Sequence, residues 1–437
     1  MMSETVAAPR GIRRQEGVTR RNLSTFFLGS FLAASLMPYV SLSKDFILNT
    51  FLKVPVSEQG HVAGNLQTFR EFVVLISIAL SGLLADKFGR RVVFCLGFLL
   101  LGVSYALIPL ATTYEQLRNF YIFNGAGAAF ITAMLSTVLA DYVMDEDRGK
   151  AGGRQGFLLA LSGLLLLPLL LALPIIFKKA GLELLPAGQA AYTLTGVICV
   201  LAAVALWLGL SRNDKPAAAE KKSFVQLAYE GITAARAPGV ALAYAAAFVS
   251  RGDLVVIGTF LKLWISKVAL ANNMDAAEAS ARGIPILLIS VVFQLITAPF
   301  FGRLADKMNR AMALSLAGVI GAIAYSATYF IHDPLGKGML FVAAMLGVAQ
   351  ISGLIISQVL IAQQAPAQIR GSVIGFFGFC GALAQIILVQ IGGRLYDGWR
   401  EAGPFVLVGG LNVLLAVVAF LMRSRIRAPE TSGETIS

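Results

Sequence analysis

The sequence predicts an all-α integral membrane protein, with about twelve transmembrane helices arranged as two pseudo-symmetric six-helix bundles. Three observations predict it. The 437 residues are 57% hydrophobic and only 14% charged, with mean hydropathy +0.75; a soluble domain is about 45–50% apolar and about 25% charged. Apolar runs of about eighteen residues or more recur along the whole chain, each long enough to cross a hydrocarbon core of about 30 Å. One long polar interruption, 211–239, divides six such runs from six. The runs do not alternate in polarity, as the strands of an outer-membrane barrel would.

The spans read at 24–52, 60–86, 91–111, 115–142, 155–177, 190–211, 239–265, 282–305, 311–331, 337–363, 371–394 and 403–423. A polar tail, 1–22, carries Arg10, Arg13, Arg14, Arg20 and Arg21. It enters the first span without a small-residue cleavage site, so it reads as a signal anchor left inside. The N-terminal bundle then fills 23–211, a linker 212–238, the C-terminal bundle 239–423 and a second tail 424–437. In the linker, "KKSFVQLAYEGITAAR" has helical spacing and is expected to lie along the membrane surface. Ala237-Pro238-Gly239 breaks it before the seventh span. Lys and Arg are about twice as frequent on the side that holds both tails, which predicts cytoplasmic termini in a bacterial cytoplasmic membrane.

The net charge of +12 therefore reports orientation among membrane lipids. Nucleic acid is not a predicted partner, because a basic soluble face with aromatic platforms is missing. Cys95, Cys199 and Cys380 fall in apolar runs and form no disulfide framework. His61 and His332 have no metal-ligand spacing around them, so neither metal nor cofactor is expected. No nucleotide loop and no Ser/His/Asp set supports an enzyme. A transporter-like sensor is disfavoured because no sizeable soluble output domain is present. The chain is expected to act as a monomer.

Repetition is visible at the second and eighth spans. "SGLLADKFGRR" (81–91) closes one and "FGRLADKMNR" (301–310) the other, about 220 positions apart. Arg148-Gly149 and Arg370-Gly371 form a second pair, each opening the helix after the fourth span of its half. Duplicated halves about a mid-membrane site are a transporter layout. "GLLADKFGRR" resembles the signature loop between the second and third helices of the major facilitator superfamily, through Gly82, Asp86, Lys87, Gly89, Arg90 and Arg91. The second copy keeps Gly302, Asp306, Lys307 and Arg310, with Asn309 in place of the second glycine. The resemblance covers essentially the whole chain and implies two six-helix bundles that transport by alternating access. It also implies that this charge cluster latches the cytoplasmic side, with Arg148 or Asp141 as a partner of Asp86. Three family patterns are missing. Gly156, Gly163 and Pro168 do not give the spacing of the drug antiporters' fifth-helix motif. Tyr121 stands where many proton-coupled members carry an arginine, with Arg118 one turn nearer the outside. The sugar-porter signature is also absent from "LGLSRNDKP".

Charges inside the spans point to function. Each costs at least about 2.5–3.5 kcal/mol at mid-membrane, so it faces a cavity or a partner. At 1.5 Å per residue, Arg251 and Asp253 lie about 18 and 21 Å from the inner surface, and Glu71 and Arg70 about 22 and 24 Å. The four are expected to share one layer. Arg70 and Glu71, adjacent on one helix, point about 100° apart, so pairing is expected between helices. The expected network joins Asp253 and Glu71 to Arg70, Arg251 or Lys44. Laid beneath "FVSRGDLVVIGTFLK" (248–262), "YVSLSKDFILNTFLK" (39–53) sets Lys44 against Asp253, with Asp45 one step on; the competing reading is a solvated outer rim.

Buried acids alternate their protonation as water access changes. Asp253, Asp45 and Glu71, in that order, are the proton-coupling candidates; Arg251, Arg70 and Lys44 are their cavity partners or the neutralisers of an anionic substrate. Asn124, Gln294, Gln350 and Gln385 are polar cavity candidates. Gly371, Gly375, Gly378 and Gly381 are expected to mark close helix packing. The predicted function is secondary active transport of a small organic solute, coupled to protons. A drug or metabolite exporter and an uncoupled facilitator are the alternatives.

Overall fold

Twelve helices long and apolar enough to cross a membrane run through the computed structural model, which describes residues 12–212 and 224–426. Residues 1–11, 213–223 and 427–437, which hold parts of both expected tails and of the linker, lie outside that description. The first six spans are Arg20–Phe51, Val56–Phe88, Arg90–Leu110, Tyr114–Tyr142, Arg148–Lys179 and Leu184–Gly209. The second six are Pro238–Ala271, Ala276–Lys307, Arg310–Phe330, Lys337–Gln364, Arg370–Gly398 and Gly403–Met422. The protein is an all-α membrane protein of two six-helix bundles. One face carries the ends of the described chain, and the far face carries the turns between first and second, fifth and sixth, and seventh and eighth spans.

Local chemistry sets the helix ends. Thr19 and Asn22 form a capping box ahead of the first span, with Asn22 N–H donating to Thr19 Oγ1 at 3.2 Å and Thr19 N–H to Asn22 Oδ1 at 2.8 Å. Asp275 caps the eighth span by accepting from Ala277 N at 2.8 Å and Glu278 N at 3.1 Å. The two signature loops differ for a reason of backbone shape. Gly89 turns between the second and third spans at φ +90°, a left-handed conformation that favours glycine. Asn309, at φ −56°, needs no such freedom; its side chain accepts from Ala311 N and Met312 N and caps the ninth span.

The first and seventh spans both loosen into a π-helical turn, Ile47–Phe51 and Ile257–Leu261. Their positions agree within one residue with the alignment of 39–53 beneath 248–262, so the repeat extends to a local defect in helix winding.

Two apolar cores divide the bundle unevenly. One runs through the first six spans and continues into the far-face ends of the second six, through Val255–Ile265, Ile286, Tyr325 and Leu346. The other holds the terminal-face part of the second six alone, including Val240, Phe301, Leu314, Leu360 and Phe377. The halves thus share a core at the far face and have separate ones at the terminal face.

The described parts of the N-terminal tail and of the linker dock on the bundle. Arg13 donates from its main chain and its Nε to Asp147 Oδ2, each at 2.9 Å, and Lys150 Nζ reaches Asp147 Oδ1 at 2.9 Å. The Lys150 hydrogen bond, then those from Arg13, hold the Asp147 carboxyl well below the usual carboxylate range. The linker helix Phe224–Ala234 packs against the seventh and eleventh spans rather than lying apart from them. Tyr244 Oη donates to Gly231 O at 2.9 Å, and Ser372 Oγ to Glu230 Oε2 at 2.5 Å.

Candidate functional site

The hydrogen bonds and ion pairs that join the halves cluster at the far face. Lys262 Nζ of the seventh span lies 3.2 Å from Asp45 Oδ1 of the first, and donates to Ser280 Oγ of the eighth at 2.7 Å. Asp397 of the eleventh span accepts from the Gly60 and His61 main chain at 2.9 and 2.6 Å, capping the start of the second. Lys178 pairs with Asp275 and Glu278. Thr68 Oγ1 donates to Ile386 O and Gln390 Oε1. Below that level the seam opens. Gly149, Gly152, Gly153, Gly156 and Gly163 of the fifth span and Gly371, Gly375 and Gly378 of the eleventh meet no atom within 4 Å of a built Cβ. The expectation of close packing at those three eleventh-span glycines is corrected: only Gly381 packs tightly, on the Arg251 stem.

At the roof of the opening the N-terminal half builds a polar chain. Lys44 Nζ donates to Gln67 Oε1 at 2.9 Å, and Gln67 Nε2 to Glu71 Oε1 at 2.7 Å. Arg70 Nη1 meets the same Glu71 oxygen at 2.9 Å, and Arg70 Nε donates to Asn124 Oδ1 at 2.8 Å. Lys44, Gln67, Arg70, Glu71 and Asn124 are all buried. The expectation of strictly interhelical pairing is therefore corrected. An arginine is long enough to curl back onto the carboxylate beside it, and Asn124 and Gln67 hold both in that pose.

The C-terminal half contributes Arg251, half-buried, with its stem against Gly381 and its charge within the field of Glu71 across the seam. Among the described residues its guanidinium has no hydrogen bond or ion pair. Asp253 points elsewhere. It is 1% exposed, accepts from Asn412 Nδ2 of the twelfth span at 3.2 Å, and lies beside Gly353 of the tenth. The expected joining of Asp253 to Arg70, Arg251 or Lys44 is corrected, since two residues of helix separate its direction from that of Arg251 by about 200°. Gln294 Nε2 donates to Gln350 Oε1 at 2.6 Å, and Gln385 is half-buried in the eleventh span.

Lys44 and Asp45 are no solvated rim: each is 1% exposed. Residues that sequence reasoning passed over complete the site. Lys262 lies close to the end of a span that hydropathy closes near 265, but the helix runs on to Ala271 and buries it. Gln67 carried a usable signal, one turn before Glu71 on the same face. Asn412 had none beyond being polar in an apolar run.

The signature loop is built within the N-terminal half. Arg90 Nε meets Asp141 Oδ2 at 2.9 Å, Arg91 stacks on Trp207 at 4.1 Å, and Arg148 Nη2 donates to Ala140 O at 3.0 Å. Asp86, Lys87, Gly89 and Arg91 line a cleft with Trp207 and Arg212, and Gly82 faces open space. In the second copy Arg310 Nη1 caps the Asp306 and Met308 carbonyls, Asp306 and Lys307 are exposed, and Gly302 meets no neighbour. No group of His, Cys, Asp and Glu among the described residues could hold a metal ion.

Known proteins resemble this arrangement. The profile of the Major Facilitator Superfamily matches residues 23–280 and 243–435. The magnetosome protein MamH of Paramagnetospirillum magneticum (strain ATCC 700264 / AMB-1) is 26% identical over 415 residues, covering 93% of each chain. MamZ of the same organism is 25% identical over 405 residues, 88% of this chain but 60% of MamZ. In fold, the crystal structure of a bacterial homologue of the human lysosomal transporter Spinster, inward-facing and unoccupied, matches with TM-score 0.70 at 14% identity. That match covers 94% of this chain and 100% of the other.

Proposed function

This chain belongs to the Major Facilitator Superfamily, and from that membership we propose a secondary active transporter that moves a small organic solute by alternating access, coupled to protons. The observation that carries this reading is the buried chain Lys44–Gln67–Glu71–Arg70–Asn124 at the roof of a seam that opens to one face only. Buried charge at mid-membrane is expensive and is kept where solute or protons pass. The basic bias of the terminal face supports a cytoplasmic opening, with both termini inside a bacterial cytoplasmic membrane. The far face closes through Asp45–Lys262 and Asp397, so the alternate state requires those contacts to part. The signature loops then serve as the latch of the opposite face.

Among the three acids, Glu71 stands first for proton coupling, because it sits on the seam between a cation of its own half and Arg251 of the other. Asp45 follows as the acid of the far-face closure, and Asp253 as a proton site internal to the C-terminal half. Proteoliposome uptake over a solute panel, with and without an imposed pH gradient, tests the reading. Accumulation that a protonophore abolishes is expected. Equilibration indifferent to the gradient would mean an uncoupled facilitator.

The likeness to MamH over nearly the full length of both chains supports a second reading of location, a magnetosome membrane. Fractionation of cells carrying the tagged chain separates the two: enrichment with plain cytoplasmic membrane alone removes it.

A further inference from the structure

We propose that the solute is an organic anion, a carboxylate or phosphate ester, held between Arg251 of the C-terminal half and Arg70 and Lys44 of the N-terminal half. The inference rests on the transport reading and names its substrate class.

Charge balance carries it. The buried acids of the described spans are three, and two are already committed. Asp45 is paired with Lys262, and Asp253 is turned into the C-terminal half against Asn412. Glu71 alone remains, paired with Arg70 at 2.9 Å, reached by Lys44 through Gln67, and with Arg251 across the seam within its field. Three cations against one carboxylate leave an excess of positive charge in a buried, low-dielectric place. Such an excess is costly unless a counter-charge arrives.

Geometry supplies the donors. A guanidinium offers five N–H groups in a planar fork suited to two oxygens of one anion. Arg70 spends Nε on Asn124 and Nη1 on Glu71, which fixes the plane of the fork and leaves the Nη2 donors. Arg251 spends none among the described residues. Its stem is clamped over Gly381, where a Cβ would come within 2.6 Å of Arg251 Cγ. A side chain there would displace the arginine, so the glycine positions the cation. Gly378 and Gly375, successive turns nearer the terminal face on the same span, have open space beside them. An anion entering from that face reaches Arg251 first and Arg70 beyond it.

An anion bridging the two arginines also draws the halves together at mid-membrane, since each half supplies one. Neutral solutes could use the glutamines Gln294, Gln350 and Gln385, but they would leave the excess charge uncompensated.

The test uses purified full-length protein and needs no gradient, so it stands apart from the failure of proton coupling. Thermal stability is followed against succinate, citrate and glycerol 3-phosphate, with glucose and choline as neutral and cationic probes, since a ligand of the folded state raises apparent stability. Saturable stabilisation by at least one anion and by neither control is expected. Arg251→Gln should weaken that anion's binding by about tenfold or more, as the loss of a charge-assisted contact. Arg251→Lys should recover part of it, and Lys337→Gln, exposed at the first turn of the tenth span, should show none of the loss. Arg251→Lys also keeps a charge at the site should Arg251→Gln not fold. Three results overturn the proposal: anion binding unchanged in Arg251→Gln, stabilisation by choline or glucose instead, or no saturable effect of any anion up to about 10 mM.

Discussion

Lys262 and Asp45 meet 3.2 Å apart across the two halves, at 2% and 1% exposure, with Ser280 completing the lysine's contacts. The carboxylate oxygens accept no well-directed hydrogen bond of their own, so the contact is an ion pair rather than a hydrogen-bonded fork. Removing one member of such a pair strands a charge, at a cost of about 3–5 kcal/mol, while replacing both is often close to neutral. Lys262→Met alone should therefore lower the melting temperature strongly, and Asp45→Asn with Lys262→Met should restore most of it. The double variant should also let the far face part more readily. Spin labels at exposed positions 183 and 273, one in each half, read this as a longer distance distribution; an unchanged distribution removes the pair from the closure.

Backbone proximity closes the same face. A Cβ on Gly393 would lie 2.6 Å from Gly60 O, and one on Gly64 would lie 2.9 Å from Val389 O. Carbonyl oxygens cannot swing aside as a side chain can, so Gly393→Ala should push the second and eleventh spans apart. Its signature is faster alkylation of cysteines introduced at the far-face turns. Gly378→Ala, in open space, should leave stability within about 0.5 kcal/mol of the parent or raise it slightly through helix propensity. Equal behaviour of the two variants would contradict the seam as described.

The spans were legible because hydropathy reports a single large energy, the cost of backbone and charge in hydrocarbon. The repeat was legible in "GLLADKFGRR" and in the alignment of the first with the seventh span, and the matched π-helical turns extend it. Pairing was not legible, because it depends on side-chain reach and on rotation about each helix axis. Adjacent Arg70 and Glu71 close on each other through a flexible side chain, while Asp253 and Arg251, two residues apart, face different helices. Lys262 was missed for a third reason: composition marks where a span becomes apolar, not where its helix ends, and here the helix outlasts the apolar run. The open seam was invisible, since small residues that pack and small residues that line a passage look alike in sequence.

The docked N-terminal segment gives a pH prediction outside the membrane. Hydrogen bonds from Lys150 and Arg13 depress the Asp147 pKa below its unfolded value, and the bond to Asp147 holds the Arg13 pKa above its own. A depressed acid stabilises fully above its unfolded pKa, about 3.9, and loses that contribution as pH falls through the folded value. The difference in melting temperature between the parent and Asp147→Asn should stay constant from neutral pH down to about 4 and shrink only below it. Arg13 stays charged over that whole window and adds no slope. Trypsin cleavage after Arg13 and Arg14 at neutral pH should be faster in Asp147→Asn. A difference that already shrinks between pH 7 and 5 would mean that another group holds the segment.

The placement of Glu71 and Asp253 separates their roles. Glu71→Gln keeps an oxygen for Arg70 Nη1 and Gln67 Nε2, so it preserves the polar chain while removing the acid at its centre. Asp253→Asn likewise keeps an acceptor for Asn412 Nδ2, and it removes an acid that faces only its own half. Solute exchange without a gradient should survive in both variants, because neither change alters the arginine that Arg251 contributes. Accumulation driven by an imposed pH gradient should fall to the equilibrium level in Glu71→Gln and persist in Asp253→Asn. The opposite pattern, with Asp253→Asn uncoupled and Glu71→Gln driven, would move the coupling acid into the C-terminal half. It would also require water to reach a carboxylate now 1% exposed, and so a rearrangement within that half rather than a rocking of the two halves that parts the Asp45–Lys262 contact.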